Sequence, residues 1–227
     1  MKMHESALEL ANTKLGILGH LTRHDAMNQI SVLEGWLSIL KEDEGSAELR
    51  NHLEMVTAAT RTLRRQLEFA GEYERLGTTG QEWVDIREAC VKVLDEMEIG
   101  GILFECQCSD FEVLVDPMFP MVIRNLANNT LKHAEGAEKV RIFCQETPEG
   151  LRLVYEDDGV GITSEAKVTI FDKGFGANTG LGLYLVRELL RISDTRIREV
   201  GEHGKGARFE IDFPEGGYRR KMASEKG

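Results

Sequence analysis

The chain has 227 residues, with 28 Lys+Arg against 39 Asp+Glu and a formal net charge of −11. A composition of 41% hydrophobic and 30% charged residues is that of a globular protein rather than a disordered one, and the acidic balance excludes general nucleic-acid backbone binding. No apolar run approaches the ~20 residues of a membrane span, and the charged start excludes a secretory signal, so a cytoplasmic chain without direct membrane contact is expected.

The first 76 residues hold no proline and predict two long helices. In the first, apolar or small residues recur from Leu8 through Leu18, Thr22, Ala26 and Ile30 to Leu40. In the second they fall at Leu49, Leu53, Val56, Thr60, Leu63, Leu67 and Ala70, the alternating steps of a coiled-coil seam. A polar turn at Glu42-Asp43-Glu44-Gly45-Ser46 makes the pair an antiparallel hairpin. So narrow a stripe cannot bury itself, and two hairpins joined in a four-helix bundle would cover it, which predicts a homodimer. Between Leu18 and Ile30 the seam stutters, a pattern that locally unwinds a supercoil.

Leu76-Gly77-Thr78-Thr79-Gly80 ends the helical half, giving expected domains of 1–77 and 81–215. Helices are predicted over Asp85–Met97, from Asp116-Pro117 to His133, and over Gly180–Ile192. Strands are predicted at Ile102–Cys106, Glu112–Val115, Lys139–Gln145, Leu151–Glu156, Ile197–Val200 and Ala207–Phe213. Their order predicts an α+β protein whose second domain is a two-layer α/β sandwich. Residues 216–227 read as a disordered tail with nothing to add to a core. The four cysteines (90, 106, 108 and 144) lack metal-ligand spacing and read as packing residues.

Glycine is concentrated after the strand ending near residue 156. Asp157-Asp158-Gly159-Val160-Gly161 is followed by Gly174-Phe175-Gly176 and by Thr179-Gly180-Leu181-Gly182-Leu183, which opens a helix. Glycines at a helix start let backbone N–H groups approach a phosphate, and the helix dipole favours the anion. Neither the dinucleotide fingerprint nor the Walker lysine–serine pair is present. On the preceding helix Asn125, Asn129, Lys132 and His133 share one face. Amide oxygens suit Mg²⁺ and a lysine suits phosphate, so beside the glycine loops the stripe reads as an ATP–Mg²⁺ site.

In the helical half, His24 lies opposite the seam with Asp25 adjacent and Asn28 one turn on, at the stutter. A lone exposed histidine is ordinarily a solvated surface group. Here a neutral imidazole with a neighbouring carboxylate is an oriented nucleophile.

Taken in order, these segments resemble the catalytic core of two-component sensor histidine kinases. His24-Asp25-Ala26-Met27-Asn28 is similar to the phosphoacceptor box, Asn125–His133 to the asparagine box, and Asp157–Gly161 and Gly180–Leu183 to two glycine boxes. Gly204-Lys205-Gly206-Ala207-Arg208-Phe209 is similar to the final strand motif, whose small residue lies near the nucleotide. The resemblance implies that His24 accepts a phosphoryl group from ATP, with Asp25 as base or orienting carboxylate and Asn28 positioning water in the reverse reaction. It implies that Asn129 holds Mg²⁺, with Asn125, Lys132 and His133 nearby. Asp157 would read the adenine amino group beside Gly159 and Gly161, and Gly180, Leu181 and Gly182 would cradle phosphates. The lid is short, so Lys173 or Asn178 is expected to supply its phosphate contacts, with Thr179 also among the nucleotide-binding residues, and the aromatic box Phe171-Asp172-Lys173-Gly174-Phe175 has one residue more than usual.

The implied activity is autophosphorylation followed by transfer to an aspartate of a response-regulator receiver domain, with a possible phosphatase role. Two other readings fit parts of the chain: a phosphatase-biased or non-catalytic ATP-binding module, and a serine kinase of the anti-sigma type. The second leaves the His24-Asp25 helix without a purpose. The stutter at the phosphoacceptor box would supply a bistable element for kinase and phosphatase states.

Overall fold

The computed structural model describes residues 25–26, 28–33, 35–36, 39, 47–76, 80–108, 110–174 and 180–221. They divide near residue 76 into two units, each described by itself.

In the first unit the described residues between 25 and 39 are helical (α1), followed by helix α2, Ala47–Arg75. Trp36 of α1 meets His52 of α2 with ring centroids 5.2 Å apart, as an antiparallel hairpin requires. Thr57, Thr60 and Thr62 turn their hydroxyls back to carbonyls one turn earlier, so these polar side chains satisfy themselves within the helix. Ala59 and Ala70 are buried, but Leu53 and Leu67 stay half exposed, at 50% and 52%. The stripe seen in the sequence is therefore incompletely covered within one chain.

The second unit is an α/β sandwich. A five-stranded sheet runs in the order β2 (Leu103–Gln107), β4 (Lys139–Thr147), β5 (Gly150–Asp157), β7 (Arg208–Pro214) and β6 (Arg196–Glu199). Only the β2–β4 pair is parallel. One face is apolar, with Val140, Ile142, Leu153, Tyr155, Phe209, Ile211 and Phe213 all buried. It is covered by α3 (Ile86–Asp95), α4 (Pro120–His133) and α6 (Gly182–Ile192), whose inward residues Ile86, Val93, Val122, Leu126, Leu185 and Leu189 are buried too. Alternation along each strand sends the other side chains to the opposite face. There Arg141, Glu156 and Arg208 lie opposite one another across three strands, and Arg152, Arg198, Glu210 and Asp212 extend the set of ion pairs.

A second, three-stranded sheet was not expected from the sequence. β1 (Glu82–Asp85) and β8 (Tyr218–Arg220) flank β3 (Phe111–Val115), both antiparallel to it. The expectation of a disordered tail from residue 216 is corrected accordingly. Tyr218 packs against Phe111 with ring centroids 6.4 Å apart, and Arg219 pairs with Glu112 and lies over the Trp83 ring at 4.3 Å. Residues 222–227 lie outside the described residues. Helix α4 starts at Pro120 rather than Pro117, because buried Asp116 accepts the Met118 N–H at 2.8 Å and forms a turn first. A short helix, α5 (Ser164–Lys167), follows the first glycine cluster and was also not predicted. Among the described residues no helix is long and apolar enough to cross a membrane.

Candidate nucleotide-binding site

The first glycine cluster begins at Asp157, the last residue of β5 and nearly buried. Its Oδ1 accepts the backbone N–H groups of Gly159 (3.2 Å) and Ala207 (3.0 Å), and its Oδ2 accepts the Thr130 hydroxyl at 2.8 Å. The carboxylate is thus fixed by β5's own turn, by the entry to β7 and by α4. Thr130 in turn lies 3.0 Å from the Tyr155 hydroxyl. With the threonine proton directed to the carboxylate, Tyr155 is the donor to Thr130. Burial pushes the Tyr155 phenol above its ordinary range, so the phenol keeps its proton. Three donors occupy three of about four acceptor positions on the Asp157 carboxylate, leaving one for a ligand N–H.

The backbone around Asp157 is close-packed, and Gly206 shows why. Its φ is +117°, and a Cβ there would come 1.8 Å from the Asp157 carbonyl oxygen. Gly159 is buried beside Ala134 at the end of α4, and Gly161 approaches the Gly206 carbonyl. Asp158 points outward, and its Oδ1 accepts the Glu138 and Lys139 N–H groups, both at 2.9 Å, holding the entry to β4. Desolvation pushes this carboxyl upward, but donation by the Lys139 and Glu138 N–H groups outweighs it and leaves the group below its ordinary value.

On α4, Asn125 and Asn129 are half-buried, whereas Lys132 and His133 are exposed in the last turn. Asn125 donates through Nδ2 to the Met121 carbonyl at 2.9 Å, which turns its Oδ1 toward the start of α6. A Cβ on Gly182 would sit 2.9 Å from that oxygen, so the second glycine cluster comes close to the asparagine helix. Gly180 adopts φ +59°, Leu181 is buried, and α6 starts at Gly182 with no side-chain cap. Its first N–H groups are therefore available to an anion. Gly174 N–H donates to the Gly180 carbonyl at 3.2 Å, closing the base of the lid loop, and Lys173 is exposed beside it.

Asn125, Asp157, Gly159, Gly161, Gly180, Leu181 and Gly182 thus belong to segments that the fold brings together, with Asn129 one turn along α4 from Asn125. Thr179 lies outside the described residues, as do His24, Phe175 and Asn178. Asp25 and Asn28 are helical residues of the other unit, half-buried and exposed respectively. Thr130 and Tyr155 were assigned no role from the sequence. A hydroxyl on the apolar side of α4, next to Leu126 and Ala127, was the available signal, since a buried polar group requires a partner. A cavity of about 490 Å³ is lined by Asp157, Asp158, Gly206 and Ala207 together with Lys139, Arg141, Glu156, Lys205 and Arg208. It therefore borders the turn that carries Asp157, although neither the α4 asparagines nor Gly180–Gly182 line it.

Comparison with known proteins agrees with this arrangement. Residues 117–217 match the family of histidine kinase-, DNA gyrase B- and HSP90-like ATPases. Sensor protein KdpD of Escherichia coli is 28% identical over 94% of this chain and 25% of its own length. The sensor protein kinase PilS of Pseudomonas aeruginosa is 26% identical over 91% of this chain and 42% of its own. Sensor protein BceS of Bacillus subtilis is 34% identical over 50% of this chain and 36% of its own. The chain therefore spans between a quarter and somewhat under half the length of these relatives. Among solved structures, histidine kinase ThkA in complex with response regulator TrrA superposes with a TM-score of 0.67 at 21% identity, covering 100% of this chain and 69% of that one. Full-length ShkA in complex with AMPPNP superposes with a TM-score of 0.60 at 23% identity, covering 92% and 47%. Residues 117–217 thus match the model of the histidine kinase-, DNA gyrase B- and HSP90-like ATPases, and over nearly its whole length the chain is similar to the catalytic core of two-component sensor histidine kinases.

Proposed function

We propose that this chain is an ATP-dependent protein-histidine kinase core that phosphorylates its own His24 and passes the phosphoryl group to an aspartate of a receiver domain. The observation that carries this reading is the fixed Asp157 carboxylate, with one acceptor position left, set among the converging starts and ends of β5, α4, β7 and α6. A planar base with an exocyclic amino group fits that acceptor, and the uncapped start of α6 fits phosphates.

Asn129, with Asn125 one turn away on α4, would hold Mg²⁺, which would supply charge neutralisation at the phosphates. Lys132 and His133 at the end of α4, and Lys173 and Thr179 of the lid, would add charge and hydrogen bonds around the phosphates. In the hairpin, His24 attacks the γ-phosphorus while ADP leaves, and Asp25 orients the imidazole or takes its proton. Asn28, one turn on, would position water when phosphate is removed from the partner protein. The half-exposed Leu53 and Leu67 support a homodimer in which a second hairpin covers the stripe. A receiver domain is the partner that the activity requires, and the histidine kinase ThkA was solved with a response regulator.

The test is incubation with γ-labelled ATP and Mg²⁺, followed by addition of a receiver domain. Label should appear on this chain, move to the receiver, and be absent from an Asp157→Asn variant that retains its fold. Nucleotide binding without any labelling of the chain would overturn the kinase reading.

A further inference from the structure

Glu199 sits where an apolar residue would be expected. It is the last residue of β6 and stands opposite Phe209 of β7, so strand alternation puts its side chain on the helix-covered, apolar face of the five-stranded sheet. That side chain is 1% exposed. A carboxylate so placed has to be paired and hydrogen-bonded. Its Oε1 accepts the backbone N–H groups of Gly201 at 3.0 Å and Arg208 at 3.1 Å. Its Oε2 lies 2.9 Å from the ammonium of Lys167, the last residue of α5. Lys167 also donates to the Gly201 carbonyl. The backbone is tight here, since a Cβ on Gly201 would come 2.5 Å from the Gly206 carbonyl oxygen and 2.7 Å from the Arg208 nitrogen.

These contacts converge on the strand entry that holds Asp157. Ala207 and Arg208 are adjacent, yet their N–H groups go to different carboxylates, Ala207 to Asp157 Oδ1 at 3.0 Å and Arg208 to Glu199. The Asp157 N–H returns to the Ala207 carbonyl at 3.0 Å, and the Val200 N–H to the Arg208 carbonyl at 2.8 Å. Residues 207 and 208 are thus pinned between two buried acids. Lys167 brings the segment leading to the lid into the same arrangement, where Phe171 also meets Phe209 edge-on at 6.4 Å. Apolar residues of similar volume would serve stability as well as a buried ion pair does. What the pair adds is orientation of the residues 201–208 backbone.

We propose that Glu199 is a positioning residue for base selectivity. It holds the Ala207–Arg208 segment so that the Ala207 N–H keeps the Asp157 carboxylate aimed at the base, and Lys167 is its counter-ion. This rests on the reading of Asp157 as the acceptor for an adenine amino group. The coupling is reciprocal, so a base recognised by Asp157 tightens the Glu199 contacts in return.

The test measures binding of ATP and of ITP, whose 6-oxo group offers no amino donor, to the 227-residue chain by calorimetry, and so does not depend on phosphorylation of His24. Wild type should prefer ATP by about tenfold or more. In Glu199→Gln the single amide oxygen cannot serve both the two N–H groups and the ammonium, so the preference should fall about threefold or more. Adding Lys167→Met removes the competing ammonium and should restore the preference to within about twofold of wild type. Hydrogen exchange in the wild type needs no variant: saturating ATP should slow exchange of the Gly201 and Arg208 amides more than saturating ITP does. A folded Glu199→Gln chain with the wild-type preference, a double variant as unselective as Glu199→Gln, or equal protection by the two nucleotides would overturn the proposal and leave the reading of Asp157 standing. Equal binding of ATP and ITP by the wild type would overturn both.

Discussion

Thr130 makes two hydrogen bonds in a nearly dry setting, at 2.8 Å to Asp157 and 3.0 Å to Tyr155. Thr130→Val keeps the shape and removes the hydroxyl, stranding one carboxylate oxygen and one phenol. Leaving buried polar groups unpaired costs about 1–3 kcal/mol, so urea unfolding should show a loss of that order. ATP affinity should fall as well, because Asp157 loses the donor that aims it. Gly206 is a different kind of requirement. Gly206→Ala places a Cβ against the Asp157 carbonyl at a φ of +117°, whereas Gly204→Ala at φ +88° meets nothing within 4 Å. Gly204→Ala should therefore show only the backbone strain of about 1–3 kcal/mol. Gly206→Ala should lose more than that and should lose nucleotide binding, both readable by thermal unfolding with and without ATP.

Among the elements, the join between β5 and β4 depends on Asp158, which accepts two N–H groups ahead of β4. Because its carboxyl is depressed in the folded chain, its stabilisation is present above the unfolded value of about 3.8 and is lost as pH falls through the folded value. Asp158→Ala should thus lower stability at pH 7, and the gap to wild type should close progressively below pH 3.8, as urea titrations at several pH values would show. The central strands and α4 and α6 were legible because their patterns are local: runs of apolar alternation, and glycine clusters next to a helix start. β1 and β8 were not. Each has three or four residues, Tyr218-Arg219-Arg220 carries little apolar signal, and both are strands only because β3 offers two edges. The role of Thr130 was hidden for a similar reason, since its partner lies 27 residues away and only the sheet's register brings the two together. The approach of Asn125 to Gly182 likewise depends on the packing of α4 and α6 rather than on either motif.

At the scale of the molecule, the chain carries an incompletely buried hairpin and an α/β unit whose residues 117–217 match an ATPase family model. If the second hairpin covers the stripe, replacing Leu53 and Leu67 together by Lys should convert a dimer to a monomer in light scattering, while the α/β domain still binds ATP. The helical half and the glycine and asparagine clusters were visible in the sequence because each is a local pattern of residue types. The account stands on His24, and the most direct measurement is the acid and alkali stability of label from γ-labelled ATP in the wild type and in His24→Gln. A phosphohistidine at that position predicts label that survives alkali, is lost in acid and is absent from the variant. Label that persists in His24→Gln, or that survives acid as a phosphoester does, would contradict it.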